Sequence, residues 1–178
     1  SVVPKDRMLS SESFAGEIKL ANSTGSVEWA INWLQFGEGV NRSYCNTIPT
    51  PQGGTHENGM RAALFKGIKH YAELSDIKKL PLLIADDVMS EAATLLSVFI
   101  KNPSFQGQTK EKLLNSEATK LVENAIRDHF DHWLTGNPKI ADAILAKIIE
   151  QAEDRLKRKK AKDIARKTPI KSLRLPGN

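Results

Sequence analysis

The stretch from Asn102 to Ser116, NPSFQGQTKEKLLNS, joins an apolar segment with the composition of a core strand to a long run of helical pattern. In its middle, Gly107 is followed by an amide, a hydroxyl and an ammonium group, those of Gln108, Thr109 and Lys110. A flexible glycine followed by such donors suits the binding of an anion, for example a phosphate. The stretch lacks the Gly-x-x-x-x-Gly-Lys-Ser/Thr pattern of a Walker A loop. A solvated surface loop is the alternative interpretation.

Hydrophobic periodicity on both sides of this stretch predicts an α+β protein. The predicted fold is a mainly antiparallel four-stranded sheet with helices on one face, followed by a long basic helix at the C-terminal end. Gly37-Glu-Gly39 has the composition of a hairpin connection between the second and third strands. The apolar run at 92–100 predicts a central strand, because both of its faces would be buried. The strands are predicted at 14–19, 27–33, 40–48 and 92–100, and the main helices at 55–71, 116–134 and from 138 onward.

The same pattern predicts how the chain is divided. Residues 1–12 have the composition of a linker, and 13–135 form the α/β body. Residues 136–168 form the long helix, which is longer than a compact domain of this size requires and is expected to project from the body. Residues 169–178 have the composition of a second linker. Because the chain starts at Ser1 without Met, we expect it to be a piece of a longer protein.

Composition excludes several classes of protein. The chain has 178 residues, of which 40% are apolar and 26% charged, as in an ordinary globular domain. No segment approaches the ~18 consecutive apolar residues of a membrane helix, and we expect no secretory leader. A single cysteine, Cys45, excludes an internal disulfide or a cysteine-based zinc site and predicts a reducing, cytoplasmic location.

Positive charge is concentrated near the C-terminal end. The net charge is +5, but residues 155–174 carry ten Lys or Arg and only one acid, Asp163, for a local charge of +9, whereas the rest of the chain carries −4. A polyanionic partner is therefore expected at this segment. The alternative is a solvated helix whose lysines serve solubility. The candidate contacts are Arg155, Lys157, Arg158, Lys159, Lys160 and Lys162.

Two further groups of polar residues each allow a functional and a structural interpretation. His56 stands at the start of a predicted helix, where Thr55 is a suitable N-cap, and it could bind a ligand or make a structural hydrogen bond. Asp86 and Asp87 could bind a metal, but no other carboxylate stands nearby at ligand spacing. Capping of a short helix by Asp86 is the interpretation that the spacing favours.

Two stretches resemble a known family. Residues 49–61, PTPQGGTHENGMR, and 105–113, FQGQTKEKL, are similar to the signature stretches in the second domain of bacterial type IIA topoisomerase ATPase subunits. The final Leu175-Pro-Gly is similar to the Leu-Pro-Gly-Lys that precedes the TOPRIM domain there. The resemblance runs in order along nearly the whole chain, and it is closer to the B subunit of topoisomerase IV than to that of gyrase.

The resemblance implies a transducer domain, whose fold is shared with the second domain of a small-subunit ribosomal protein. In the family, a preceding GHKL domain binds ATP and Mg²⁺ and holds the catalytic glutamate, so no catalytic or metal-binding residue is expected in this chain. Gln108 and Lys110, with Thr109 in the same loop, would contact the γ-phosphate of ATP. The basic helix and Arg61 would border the passage for double-stranded DNA.

The same resemblance implies several partners. They are the GHKL domain before this chain and the TOPRIM domain after it, the A subunit of topoisomerase IV, and a second B subunit that dimerises through its ATPase domain. The parent protein would be an ATP-hydrolysing isomerase, and this piece alone is expected to be inactive. Two alternatives remain, namely the transducer of the gyrase B subunit, and a stand-alone nucleic-acid-binding module that uses the basic helix.

Overall fold

The fold is an α+β body with one principal sheet, seen in a computed structural model that describes residues 4–20, 25–106, 108 and 110–173, with side chains as far as 167. The strands are β1 (Phe14–Lys19), β2 (Gly25–Trp33), β3 (Val40–Cys45), β4 (Ile48–Pro49), β5 (Ala92–Ile100), β6 (Phe105–Gln106) and β7 (Lys112–Leu113). The helices are α1 (Thr55–Leu74), α2 (Ala85–Met89), α3 (Ser116–Gly136) and α4 (Pro138–Leu173).

The sheet differs from the predicted one in its strand number and in one pairing. It has five strands in the order β1-β2-β5-β3-β4, and β3 runs parallel to β5 while the other pairs are antiparallel. The predicted number of four strands and the predicted hairpin at Gly37-Glu-Gly39 were therefore wrong, whereas the sheet is mainly antiparallel, as predicted. The backbone N–H of Gly39 donates to the carbonyl of Ser90 at 2.8 Å, so this segment leads β3 to β5 instead of back along β2. The central position predicted for 92–100 is confirmed, because β5 lies between β2 and β3. The expected burial of both faces was wrong, because Leu95 and Phe99 are exposed on the outer face.

The core lies between the sheet and the two helices α1 and α3. Alternate residues of β2 point inward, and Val27, Trp29, Ile31 and Trp33 are all buried, as their period-two spacing predicts. The indole N–H of Trp33 donates to the Val88 carbonyl at 3.0 Å, so its polar atom is satisfied inside the core.

Close packing of α1 on α3 depends on a glycine. A Cβ atom added at Gly59 would lie 2.3 Å from the carbonyl oxygen of Thr119, which is closer than real Cβ atoms approach. The absent side chain thus lets the N-terminal halves of the two helices touch through their backbones. The hydroxyl of Thr119 also donates to the Thr55 carbonyl at 2.9 Å. The start of α3 is thereby fixed to the start of α1.

Residues 8–10, within the segment predicted as a linker, lie on the sheet. The backbone N–H of Leu9 donates to the Trp33 carbonyl at 2.7 Å, and Met8 forms an isolated bridge with Leu34. The side chain of Asn32 donates to the Ser10 carbonyl at 3.0 Å. These bonds extend the edge of the sheet, and Asn32, which alternates with the inward-facing residues of β2, is buried where it binds this segment.

Helix α4 packs on the body by its first half. Its buried stripe is joined by a polar seam, which we define as Lys147, Gln151 and Arg155, spaced four residues apart on one helical face. Lys147 pairs with Glu91 at 2.7 Å, Gln151 also contacts Glu91, and Arg155 pairs with Asp87 at 2.9 Å. The buried stripe of α4 is Ala141, Ile144, Leu145, Ile148 and Ala152.

The C-terminal end of α4 differs from its predicted boundary. The predicted division at residue 168 falls inside α4, which continues to Leu173. The first part of the segment predicted as a second linker is therefore helical. The Leu175-Pro-Gly stretch lies outside the described residues.

Candidate functional site

The stretch predicted to bind an anion folds into a small hairpin. Strands β6 and β7 pair in antiparallel register, with Phe105 opposite Leu113 and Gln106 opposite Lys112. Gln108 and Lys110 lie at its tip and are exposed, whereas Gly107 and Thr109 lie outside the described residues. The tip therefore presents an amide and an ammonium group to the solvent.

The base of the hairpin is closed by backbone and side-chain hydrogen bonds. The N–H of Leu114 donates to the Ser104 carbonyl at 2.7 Å. The side-chain oxygen of Asn115 accepts from the Ser104 N–H at 2.6 Å, and its amide donates to the Asn102 carbonyl at 3.3 Å. Asn115 also occupies the N-cap position of α3. The base of the hairpin and the first turn of α3 are thus one connected unit.

Lys110 has an unusual backbone conformation. Its φ is 57°, in the left-handed region that non-glycine residues rarely adopt. Residues held in this region are concentrated at ligand-binding sites, where surrounding contacts maintain the conformation. The direction of the lysine is therefore set by the contacts that hold the rest of the hairpin.

The two stretches that carry the family resemblance contact each other directly. Gly54 forms a parallel bridge with Leu113, and the Leu113 N–H donates to the Gly53 carbonyl at 3.1 Å. The N–H of Gln52 donates to the Glu111 carbonyl at 3.0 Å, and the side chains of these two residues are also hydrogen-bonded. We define the turn seat as residues 50–54, on which the 111–113 side of the hairpin rests.

Only glycine fits at Gly54. Its φ of +137° lies outside the range of other residues, and an added Cβ would lie 2.4 Å from the Leu113 carbonyl oxygen. The N-cap of α1 is Gly54 and not the predicted Thr55, because the backbone at this position is paired with the hairpin. Glycine at position 54 is therefore a requirement of this close contact.

A buried chain of polar side chains lies under the turn seat. His56 Nε2 is 3.0 Å from the Thr50 hydroxyl, which is 2.7 Å from the Ser43 hydroxyl. The Ser43 hydroxyl donates to Glu57 Oε1 at 2.8 Å. Thr50, Ser43 and His56 are almost completely buried. These hydrogen-bonded side chains join β3, the turn seat and the first turn of α1.

His56 is a structural residue in this arrangement. Burial lowers its pKa from 6.5 to about 4, because the charged imidazolium would lose its hydration. Its Nδ1 is buried, and within the described part of the chain it has no hydrogen-bond partner. The structural interpretation of His56 thus fits the geometry better than the ligand interpretation.

The two aspartates after Ile84 have different roles. The carboxylate of Asp87 accepts from the Ile84 N–H at 2.9 Å, so Asp87 makes the capping bond that the sequence assigned to Asp86. Asp87 also receives the Arg155 guanidinium, whereas Asp86 pairs at the surface with Arg61. Among the residues that the structure describes, no group of three His, Cys, Asp or Glu is arranged to hold a metal ion.

The structure separates Arg155 from the other basic residues predicted to face DNA. Arg155 donates to both Asp87 oxygens, at 2.9 and 3.1 Å, and to the Leu82 carbonyl at 2.8 Å. The pair with Asp87 raises the pKa of the guanidinium. Arg155 therefore holds α4 to the body, and Arg61 is exposed beside Asp86. The remaining candidates, all exposed on the second half of α4, are Lys157, Arg158, Lys159, Lys160 and Lys162.

Sequence reasoning missed the buried polar chain and the pair between Asp87 and Arg155. A signal exists for the first, because Ser43 occupies an inward-facing position in a strand, where an unpaired hydroxyl would be unfavourable. Asp87 carries no such signal, because its partner lies far along the chain on another helix.

Of the helices in the described ranges, none combines the length and apolar character needed to cross a bilayer.

The family model and the similar proteins found by comparison point to the same family. The sequence model of the family described as DNA gyrase B matches residues 2–164. The B subunit of DNA topoisomerase 4 from Caulobacter vibrioides is 56% identical over 170 residues, which are 93% of this chain and 24% of that protein. The chain thus spans about a quarter of that relative's length.

Two solved structures share the fold. The topoisomerase IV ATP binding domain of Francisella tularensis, in complex with a small-molecule inhibitor, has a TM-score of 0.76 and 34% identity over 83% of this chain and 41% of its own. The 43K ATPase domain of Thermus thermophilus gyrase B, in complex with an aminocoumarin, has a TM-score of 0.73 and 29% identity over 84% of this chain and 41% of its own. The chain therefore belongs to the DNA gyrase B family and represents part of a type IIA topoisomerase B subunit.

Proposed function

We propose that this chain is the transducer domain of a topoisomerase IV B subunit. It would couple ATP binding and hydrolysis, in a GHKL domain that precedes it, to the passage of one DNA duplex through another. Family membership and the 56% identity to the B subunit of a DNA topoisomerase 4 support this proposal. The transducer of the gyrase B subunit is the alternative within the same family.

The observation that carries the proposal is the seated hairpin. Its base and one side are fixed by hydrogen bonds to the turn seat and to Asn115, whereas Gln108 and Lys110 are exposed at the tip. An amide and an ammonium group suit the γ-phosphate oxygens of ATP, with Lys110 supplying charge and Gln108 a hydrogen-bond donor. Mg²⁺ and the catalytic base would belong to the preceding domain.

The position of the hairpin provides a route for coupling. A lysine on the γ-phosphate makes a contact that is lost after hydrolysis, so its binding energy differs between the two nucleotide states. Asn115 links the base of the hairpin to the start of α3, and the polar seam links α4 to α2 and β5. A shift of the hairpin would thus be transmitted through helices that are packed on one body.

The second half of α4 is the proposed DNA-facing element. Between residues 157 and 167 it carries seven Lys or Arg and one Asp, all exposed. Because Arg155 is occupied by Asp87, the proposed contact surface begins at Lys157. Phosphate contacts of this kind are nonspecific in sequence and weaken as salt rises. Arg61 remains a candidate on the same terms.

Charge reversal on α4 tests this surface. We expect the full-length B subunit with Glu at 157, 159, 160 and 162 to keep its ATPase activity without DNA, since these side chains lie away from the hairpin. Its stimulation by DNA should fall by about tenfold, because several phosphate contacts are lost together. A matched variant with Arg in place of Lys at the same four positions, 157, 159, 160 and 162, keeps the charge and should retain stimulation. Stimulation that survives charge reversal would contradict the DNA-facing assignment.

The proposal includes further partners. The GHKL domain would precede this chain and the TOPRIM domain would follow it, and the B subunit would dimerise through its ATPase domain and assemble with the A subunit in the cytoplasm. A second candidate function, a stand-alone nucleic-acid-binding module, is favoured only by the exposed basic half of α4. That module would bind duplex DNA as an isolated chain at submicromolar concentration, with a steep dependence on salt.

The experiment that tests the coupling role compares ATP turnover by three proteins. They are the preceding ATPase domain alone, that domain mixed with this chain, and the two joined as in the B subunit. We expect turnover to be about tenfold higher in the joined protein, because the hairpin completes the phosphate site. This chain alone should show no turnover. Equal turnover with and without this chain would contradict the proposal.

A further inference from the structure

We propose that Thr50 is a positioning residue for the hairpin tip, acting through the turn seat on Lys110. This inference rests on the proposed function of Lys110 at the γ-phosphate. It gives the stretch at 50–56 the role of holding the hairpin tip in position, although none of its residues belongs to the tip itself.

The hydrogen bonds around Thr50 have one consistent direction. Glu57 accepts from the Ser43 hydroxyl at 2.8 Å, so the Ser43 oxygen is available to accept from the Thr50 hydroxyl at 2.7 Å. The Thr50 oxygen then accepts from the N–H at His56 Nε2, 3.0 Å away. This order uses each hydroxyl once as a donor and once as an acceptor, and it ends on a carboxylate. The assigned tautomer leaves His56 Nδ1 as a buried acceptor, for which the described residues supply no donor.

The backbone of Thr50 closes the turn seat. Its N–H donates to the Ser43 carbonyl at 2.9 Å, and its carbonyl accepts from the Gly53 N–H at 2.8 Å. Gly53 then accepts from Leu113, and Gly54 is bridged to Leu113. Thr50 is thus bonded to β3 and α1 through its hydroxyl, and to the hairpin through the turn that its carbonyl closes.

The part of the hairpin next to its tip depends on the turn seat for its position. Its base is held at Ser104 and Asn115, whereas closer to the tip it is held by the backbone and side-chain bonds between Gln52 and Glu111. Glu111 is the neighbour of Lys110, whose left-handed φ must be maintained by such contacts. A small shift of the seat would therefore move the lysine away from the phosphate without unfolding the hairpin. Misplacements of this size lower catalytic rates strongly.

The test measures ATP hydrolysis by the full-length B subunit carrying Thr50→Val, a residue of nearly the same shape but without the hydroxyl. We expect kcat to fall about fivefold to tenfold with KM changed less than about twofold, because a displaced lysine loses contact mainly in the transition state. Thr50→Ser keeps the hydroxyl, so the kcat of this variant should stay within about twofold of the parent value.

A double variant separates positioning from general structural support. If Thr50 acts only through the lysine, Thr50→Val combined with Lys110→Ala should have a kcat within about twofold of Lys110→Ala alone. Two effects that multiply would overturn the inference, as would an unchanged kcat in Thr50→Val. If Lys110→Ala itself has no effect, the proposed function fails first and the inference fails with it.

A second variant covers the case in which Thr50→Val is poorly folded. Gln52 is exposed, and Gln52→Ala removes only its side-chain contact with Glu111. We expect it to lower kcat about threefold in the parent and to have no effect in the Lys110→Ala background. A Gln52→Ala variant with parental kcat would also overturn the inference.

Discussion

Replacing Lys110 with Ala in the full-length B subunit is expected to lower kcat for ATP hydrolysis by about tenfold or more. The ammonium group at the tip of the hairpin would stabilise charge that moves onto the γ-phosphate in the transition state. The exposed position of Lys110 means that its side chain can be removed without opening the core. The melting temperature should therefore stay within a few degrees of the parent value.

Lys112→Ala is the matched control for this variant. Lys112 is also exposed, carries the same charge and lies on the same hairpin, but it belongs to strand β7 opposite Gln106 and not to the tip. We expect Lys112→Ala to keep parental turnover. If the two variants behave alike, the effect comes from the net charge of the hairpin, and a specific phosphate contact by Lys110 is excluded.

Acidification is expected to reduce the free energy of unfolding of this chain by about 3 kcal/mol through His56 alone, given the shift of its pKa from 6.5 to about 4. The unfolded chain binds a proton at His56 as the pH falls through 6.5, whereas the folded chain binds it only near pH 4. Stability from this group is thus fully present above pH 6.5 and is lost progressively between 6.5 and 4. Urea unfolding at several pH values measures the change.

His56→Gln isolates this contribution from that of the carboxylates. The glutamine amide can still donate to the Thr50 hydroxyl but does not titrate, so the variant should lose less stability than the parent over the same pH interval. His70→Gln is the matched control, because His70 is exposed on the same helix and the same exchange there leaves the core unchanged. Parallel profiles for His56→Gln and the parent would contradict the buried neutral state of His56.

The elements of the fold were predictable where their signal is local. The alternation of Val27, Trp29, Ile31 and Trp33 defines β2, and helical spacing defines α1 and α3, because each pattern is set by the period of one element. The partner of β3 was not predictable in the same way. Gly37-Glu-Gly39 permits a hairpin equally well, and the actual parallel pairing with β5 depends on the intervening α1, α2 and their packing.

The candidate site shows the same division. Gln108 and Lys110 were identified because their residue types follow one another in one short stretch. The seat under them was not identified, since Thr50 and Ser43 meet only when β3 and the turn fold together. Likewise, composition gave Arg155 and Lys157 the same expected role. The structure distinguishes them because Asp87 faces one and not the other.

Helix α4 is attached to the body through the polar seam in its first half, and this attachment would let it act as a lever. The polar seam ends at Arg155, while the helix continues to Leu173, so about 27 Å of helix follows Arg155 at 1.5 Å per residue. A rotation of about 10° at the seam would then displace the far end by about 5 Å, the rise of one helical turn. Glu91 and Asp87, which both precede β5, would act as the fulcrum. A movement too small to disturb the core would thus become a displacement large enough to change which phosphates a lysine can reach.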